Sequence, residues 1–223
     1  MRKKTRCSKR TTIFLLLPLC MIAFATVAYG VLNNYVAFNI NLALAQKPTI
    51  AVACALQGTY ENSITLIVNS TTKLIERTEP AYPLIHINIT NTGKTPVDKI
   101  TLNNTISDDW TLRETSMQLA QVDKTQIDIS ATYFTTEYSS ENVIMITLPS
   151  IKNAVGRNLN QNESIIVNLY IEYKLKGEQL PPEYETIPPI YSNTATAVGW
   201  VHNYQSEFAN ATAEFTTYIY YLV

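Results

Sequence analysis

Alternation of apolar and polar side chains is the strongest structural signal along this 223-residue chain. Val167, Leu169, Ile171 and Tyr173 occupy every second position of one segment, and Asn168 and Glu172 stand among the residues between them. A period of two places each set on one face of a β-strand. Similar patterns predict strands at 50–56, 64–68, 84–91, 97–106, 127–133, 143–148, 165–175, 194–201 and 209–221. No window after residue 50 favours a helix, so we expect an all-β fold, an antiparallel β-sandwich.

Turn-forming residues separate these strands. The sequence Asn91-Thr92-Gly93-Lys94 lies between two alternating runs, and Gly93 can take the positive φ of a tight hairpin. Proline pairs at 181–182 and 188–189 predict an extended, stiff loop between them. No Gly/Ser linker or low-complexity tract occurs, so we expect a single sandwich domain over residues 48–223.

The N-terminal segment is typical of an export signal. Six Lys and Arg residues lie within the first ten positions, an apolar run follows from Ile13 to Leu32, and the next charge is Lys47. Because transfer of Lys and Arg across a bilayer is unfavourable, the basic end stays in the cytoplasm and the remainder is predicted to be extracellular. Small residues between Ala25 and Gly30 favour cleavage by signal peptidase. The run is also long enough for a retained anchor, so residues 1–30 are a signal peptide or a signal-anchor.

A second alternating run lies between this signal and the domain, within residues 31–47. Its larger apolar side chains are Val36, Phe38, Ile40, Leu42 and Leu44. A helical stripe can also be drawn through this window, but its four Asn residues disfavour a helix. At about 25 cal/mol per Å², burial of the apolar face is worth on the order of several kcal/mol. The strand is therefore expected to pack in its own domain or to enter a groove of a neighbouring copy, as in donor-strand complementation.

Charge and cysteine content limit the binding partners and the disulfide bonds that are expected for the exported part. From residue 31 onward, eleven Lys and Arg stand against eighteen Asp and Glu, a net charge of −7. This balance disfavours nucleic acid and anionic lipid as partners, which leaves membrane contact to the N-terminal segment. Cys54 is the only cysteine after residue 20, so no intramolecular disulfide is expected in the exported part. Its apolar neighbours predict a small buried side chain.

The sequence contains no motif of a catalytic or cofactor site. The patterns G-x-S-x-G, H-E-x-x-H and C-x-x-C are missing, and no Gly-rich phosphate loop occurs. His86 and His202 are isolated and are interpreted as structural. The pair Asp108-Asp109 is interpreted as an acidic turn at a strand end, because a Ca²⁺ site needs further converging oxygens. We expect no enzymatic activity, no catalytic residues, no cofactor and no metal.

Five N-x-S/T sequons make glycosylation a candidate modification of an exported chain. Asn103 and Asn162 fall at predicted strand ends or loops and are the preferred sites. Asn88 and Asn210 lie within predicted strands and require a solvent-facing side chain. The fifth sequon begins at Asn69.

Several segments occur in an order that resembles a known family. These are Ile87-Asn88-Ile89-Thr90-Asn91-Thr92-Gly93, the run 97–102, Asp108-Asp109-Trp110-Thr111, the run 159–164 and Ser192-Asn193-Thr194-Ala195-Thr196-Ala197-Val198. Over residues 82–221 they resemble an Ig-like conserved repeat domain of unknown function of bacterial and archaeal surface proteins. The chain departs from that family at 160–162, where Gly usually precedes Glu, and in lacking tandem copies. The resemblance implies an Ig-like β-sandwich with a structural or adhesive surface role and no catalytic residues.

The free N-terminal strand indicates self-assembly. A strand inserted head to tail into the next copy does not close on itself and propagates a fibre. In this respect the chain is similar to subunits of archaeal extracellular thread filaments, small secreted sandwiches with an N-terminal donor strand. A structural filament subunit that binds copies of itself is therefore the favoured hypothesis.

Three alternatives remain. The first is an isolated, membrane-anchored surface or adhesion domain. The second is a carbohydrate-binding module in which Trp110, Trp200 and tyrosines stack on cell-surface glycans. The third is a type IV pilin-like protein that keeps the apolar run as a helix; Lys9-Arg10-Thr11 departs from the expected processing site.

Overall fold

The computed structural model describes residues 47–57 and 62–223, which form two β-sheets packed face to face. Residues 1–46, which include the predicted signal and the apolar strand residues Val36–Leu44, lie outside the described part. The strands are β1 (Ile50–Gln57), β2 (Ser63–Asn69), β3 (Ile75–Glu79), β4 (Leu84–Asn91), β5 (Lys99–Ile106), β6 (Trp110–Ala120), β7 (Gln126–Ile129), β8 (Thr135–Ser140), β9 (Val143–Leu148), β10 (Ser164–Tyr173), β11 (Ile190–Val201), β12 (Tyr204–Gln205) and β13 (Ala209–Leu222). Two short helices are α1 (Ile151–Val155) and α2 (Pro182–Thr186).

The strand order confirms the predicted Ig-like sandwich. Sheet A has the order β1-β4-β10-β6-β7, and sheet B has the order β3-β2-β13-β11-β5-β9-β8 with β12 paired to β11. The four strands β1-β4-β10-β6 and the three strands β13-β11-β5 correspond to the two sheets of an immunoglobulin-like fold. Neighbouring strands are antiparallel, with the exception of β2 and the second half of β13, which pair in parallel.

Alternating side chains of both sheets fill the core. Ile85, Ile87 and Ile89 of β4 are buried, and the residues between them are half-buried on the outer face. Trp110 is completely buried, and its ring centroid lies 4.9 Å from that of Tyr173 and 5.5 Å from that of Tyr191. In strands such as β4 and β9 the period of two therefore reports the inward face, as the sequence predicted, whereas β8 is exposed along its whole length.

The predicted hairpin at 91–94 is wrong. β4 belongs to sheet A and β5 to sheet B, so the segment between them crosses from one sheet to the other. Gly93 does not have a positive φ. A Cβ atom on Gly93 would lie 3.2 Å from the Thr49 Cβ. Glycine is therefore favoured at this position because the two chain segments approach closely, and not because of a positive φ.

Two further segments differ from the prediction of strands and extended loops. The prolines at 181–182 begin α2, with Pro182 at the first helical turn, where its missing N–H costs no hydrogen bond. Strand β7 ends at Ile129, and residues Ala131–Tyr133 form a turn of 3₁₀ helix capped by the Ser130 side chain. Among the described residues, no helix is long and apolar enough to cross a bilayer.

Candidate functional site

The outer edge of β1 has no strand partner among the described residues. The Thr49 carbonyl accepts hydrogen bonds from the backbone N–H groups of Thr92 and Gly93, whereas the backbone of Asn91, opposite Ile50, bonds to 162–163. Bonding direction alternates along an antiparallel pair. The backbone groups of Ile50, Val52, Cys54 and Leu56 therefore face away from β4, toward the open edge.

A second unpaired edge lies on sheet B, along the first half of β13. Residues 209–216 pair with β11, and residues 216–222 pair with β2 on the opposite side. Among the described residues, no strand pairs with 209–215 on the side of β2. β1 runs close to β13 of the other sheet, with Cα atoms of the two strands within 8 Å of each other. Two unpaired edges, one from each sheet, therefore border the same side of the domain.

A cleft opens between the beginnings of these two strands and is called the edge groove here. It is lined by residues 47–52 and 207–210. Val52, Cys54, Ala209 and Ala211 point inward but are only half-buried, unlike the fully buried core residues deeper in the sandwich. Phe208 is 64% exposed. The inward face of the sandwich is thus incompletely covered at this side.

Hydrogen bonds position the 207–208 wall of the groove. The Ser206 hydroxyl accepts from the Gly199 N–H at 3.0 Å and donates to the Glu207 carbonyl at 2.7 Å. The Ser206 N–H donates in turn to the Gly199 carbonyl at 2.8 Å. A Cβ on Gly199 would lie 2.9 Å from Cγ2 of Ile50, so glycine permits β11 to approach β1 closely. These contacts hold the beginning of β13 near β1.

A buried polar cluster lies beneath β1. Asn104 and Asn193 are both 0% exposed, and each side-chain amide donates to the carbonyl oxygen of the other, at 2.7 and 2.8 Å. The Asn193 amide nitrogen also lies 3.2 Å from the Cys54 sulfur. Burial raises the pKa of the Cys54 thiol, an effect that the contact with Asn193 partly offsets. The predicted burial of Cys54 is only partial, because β1 is an edge strand.

Sequence reasoning missed this cluster and both open edges. Asn104 and Asn193 stand at inward positions of β5 and β11, where the alternation leads one to expect apolar residues. The presence of two Asn residues at these inward positions was the signal in the sequence that a buried polar pair could form. The open edges depend on long-range strand pairing, for which the sequence has no local mark. The predicted donor residues Val36, Phe38, Ile40, Leu42 and Leu44 lie outside the described residues.

The sequon asparagines occupy different environments. Asn162 is exposed in a turn, as predicted, whereas Asn103 lies inside β5 on its exposed face and not at a strand end. Asn210 is exposed in β13; Asn88 is half-buried in the centre of sheet A. Asn69 is half-buried, and its amide nitrogen donates to Glu76 at 3.1 Å. Glycosylation of any of them remains a prediction.

The remaining candidates for chemistry do not converge. Nδ1 of His86 lies 2.9 Å from Oδ1 of Asn168 on the outer face of sheet A. The His202 backbone N–H donates to Asp98 in a different part of the domain. Asp109 accepts hydrogen bonds from the hydroxyl groups of Tyr184 and Tyr191. Within the described ranges, no three metal-ligating side chains cluster.

The prediction that Trp110 and Trp200 belong to one aromatic stacking platform is wrong. Trp110 is 0% exposed in the core, so no glycan can reach its ring. Trp200 is half-buried, and the Lys99 ammonium lies 5.2 Å from its ring centroid. The two indoles cannot form a joint platform.

Comparison with known proteins finds solved structures that are similar to this chain in fold. No family model matches the chain, and no curated protein matches it significantly. The collagen-binding subdomain of the Enterococcus faecalis surface protein ACE is 12% identical, with a TM-score of 0.41, over 72% of this chain and 99% of that chain. A non-cellulosomal cohesin from Archaeoglobus fulgidus is 9% identical, with a TM-score of 0.44, over 76% and 91%.

The full-length major pilin SpaD from Corynebacterium diphtheriae is 9% identical, with a TM-score of 0.46, over 76% of this chain. The matched region is only 35% of the pilin. Similarity at these levels concerns the general sandwich architecture alone.

Proposed function

We propose that this chain is a structural subunit of an extracellular filament assembled by donor-strand complementation. In this arrangement, the apolar strand that begins at Val36 and ends at Leu44 enters the edge groove of the next copy. The observation that carries the proposal is the edge groove itself, bordered by unpaired backbone on both sheets and only half covered inside. An extended segment with apolar side chains at alternate positions supplies what such a groove lacks.

Length and side-chain size support this pairing. The unpaired part of β13 spans residues 209–215, about 23 Å at roughly 3.3 Å per residue. The nine residues of the donor run from Val36 to Leu44 extend about 30 Å on the same basis. The inward residues of the acceptor include Ala209 and Ala211, whereas the donor supplies Phe, Ile and Leu. Small acceptor side chains leave space for large donor side chains.

Pro48 disfavours a short hairpin between the donor strand and β1 of the same domain, and so supports insertion into a second copy. A donor strand folded back on β1 of its own domain needs a reversal between Leu44 and Ile50. The favoured two-residue hairpin turns, types I′ and II′, need a positive φ at their first position, which Pro48 cannot adopt there. Insertion in trans needs no such turn. Because head-to-tail insertion leaves a free donor at one end and a free groove at the other, assembly continues as a fibre.

Single substitutions in the donor test the proposal. Phe38→Asp in the secreted chain should abolish fibres in electron micrographs, because an unpaired carboxylate in a dry groove costs several kcal/mol, on the order of the burial gain itself. Asn39→Asp introduces the same charge at the next position, on the opposite face of the strand, and is the matched control. We expect Asn39→Asp to leave fibres intact.

Two results separate the alternatives. Long fibres from the Phe38→Asp chain would contradict the donor role of this strand. A wild-type secreted chain that stays monomeric, with residues 36–44 protected from hydrogen exchange, would indicate pairing in cis. An isolated surface domain would then be the better interpretation.

A further inference from the structure

We infer that Phe208 is the acceptor residue that packs on the inserted donor strand and helps to select it. The inference deepens the proposed function and rests on it. Phe208 lines the edge groove, is 64% exposed and immediately precedes the unpaired part of β13. A large apolar side chain at the mouth of an open groove gains contact only when the groove is filled.

The position of Phe208 is set by its neighbours. The preceding residue, Glu207, has its carbonyl bound by the buried Ser206 hydroxyl. The following residue, Ala209, pairs with Ala197 of β11. Phe208 is therefore held between two anchored residues, so little backbone ordering is needed when a ligand arrives.

Charge at the groove also favours an apolar contact. Lys47 and Glu207 are the charged residues among those that line it, and both are exposed. The donor has no charged residue between positions 36 and 46. An ion pair therefore cannot select this donor, and apolar packing must provide most of the recognition.

Tyr204 provides a matched control on the same hairpin. It lies in β12, is 44% exposed and does not line the edge groove. Truncation of either aromatic side chain removes similar exposed area from the folded domain. Only Phe208 is expected to change donor binding.

The experiment uses the full secreted chain carrying Phe38→Asp, which cannot donate its own strand but retains the groove. A synthetic peptide of residues 36–45 is titrated into this chain, and the Kd is measured by fluorescence anisotropy. Phe208→Ala should raise the Kd about tenfold or more, consistent with loss of most of one buried aromatic contact. Phe208→Leu should largely retain binding, and Tyr204→Ala should not change the Kd.

The outcomes separate the two proposals. If the Phe38→Asp chain does not bind the peptide at all, the donor-strand function fails and the role of Phe208 fails with it. If the peptide binds and Phe208→Ala has the same Kd, only the role of Phe208 is overturned. An unchanged melting temperature of Phe208→Ala establishes that any loss of binding is not a loss of folding.

Discussion

Two amide side chains, Asn104 and Asn193, bind each other in the dry interior beneath β1. Each is fully buried, and the two hydrogen bonds between them are reciprocal. A buried amide that loses its partner keeps the full cost of desolvation, whereas a satisfied pair costs little. The pair therefore favours one alignment of β5 and β11, because a shift of one residue would separate the two side chains.

At the residue scale we predict that removal of one member of this pair destabilises the domain. Asn104→Ala should lower the free energy of unfolding by about 1–3 kcal/mol, because Asn193 would be left without its main partner. The measurement is urea denaturation of the chain carrying Phe38→Asp, which is expected not to form fibres.

The adjacent residue is the control for that prediction. Asn103 is exposed on the outer face of the same strand, so Asn103→Ala should change the stability by less than about 0.5 kcal/mol. Equal effects of the two substitutions would mean that the buried amide pair contributes no special stability.

At the scale of single elements, local alternation predicted several strands to within a residue. The bounds of β4 and β9 are as expected, since both have regular apolar positions. β6 was missed, because Arg113, Glu114 and Thr115 interrupt its alternation. The irregularity has a structural origin, since the register between β10 and β6 shifts at Tyr170 and Ile171. Such bulges depend on the partner strand and leave no reliable local pattern.

The turn before β10 holds Asn162 in an uncommon backbone conformation. Asn162 has a φ of +64°, a left-handed conformation that Gly adopts freely and Asn tolerates. The next residue, Glu163, is buried and accepts hydrogen bonds from the Arg157 guanidinium, at 2.6 Å for one of them, and from the Asn160 N–H at 2.8 Å. Burial alone would raise the pKa of Glu163, but these hydrogen bonds outweigh it and lower the pKa.

A pH dependence of stability follows for this turn. A carboxyl group with a lowered pKa in the folded state stabilises the fold above its unfolded pKa, near 4.3, and loses that contribution as the pH falls through its folded pKa. The melting temperature of the Phe38→Asp chain should therefore decrease below about pH 4.3, and Glu163→Gln should reduce this decrease. The control Glu172→Gln alters an exposed ion pair and should leave the acid profile nearly unchanged. Identical acid profiles with and without the Glu163→Gln substitution would contradict the role of this turn.

At the scale of the whole molecule, the sandwich was predictable and the edge groove was not. Alternation reports which side chains point inward, and many short alternating strands indicate a sandwich without any knowledge of their order. An open edge depends on which strands become neighbours, and β1 and β13 are separated by most of the domain in sequence. The sequence nevertheless predicted a free apolar strand at 36–44, to be packed either in its own domain or in a neighbouring copy. The structure adds a groove in which β1, the first described strand after that segment, forms one border.

Cys54 offers a direct measure of whether that groove is filled. Its side chain points inward from the edge strand β1 and is half-buried in the open domain. A donor strand laid along β1 would cover it. Because the thiolate is the reactive form, the raised pKa of Cys54 already slows its alkylation in the open domain, and further burial under a donor strand would slow the reaction again.

We predict that Cys54 reacts with iodoacetamide at least about tenfold more slowly in fibres than in the monomeric Phe38→Asp chain, since solvent exposure governs access to the thiolate. Mass spectrometry of the peptide that contains Cys54 gives the rate independently of Cys7 and Cys20. Addition of the 36–45 peptide to the monomer should reproduce the slow rate of the fibre, because a bound peptide would cover the edge of β1 as the donor strand does. Reaction in concentrated urea supplies the unprotected limit for each sample. Equal rates in fibre and monomer would show that the fibre interface lies elsewhere, since no donor strand could then cover the edge of β1.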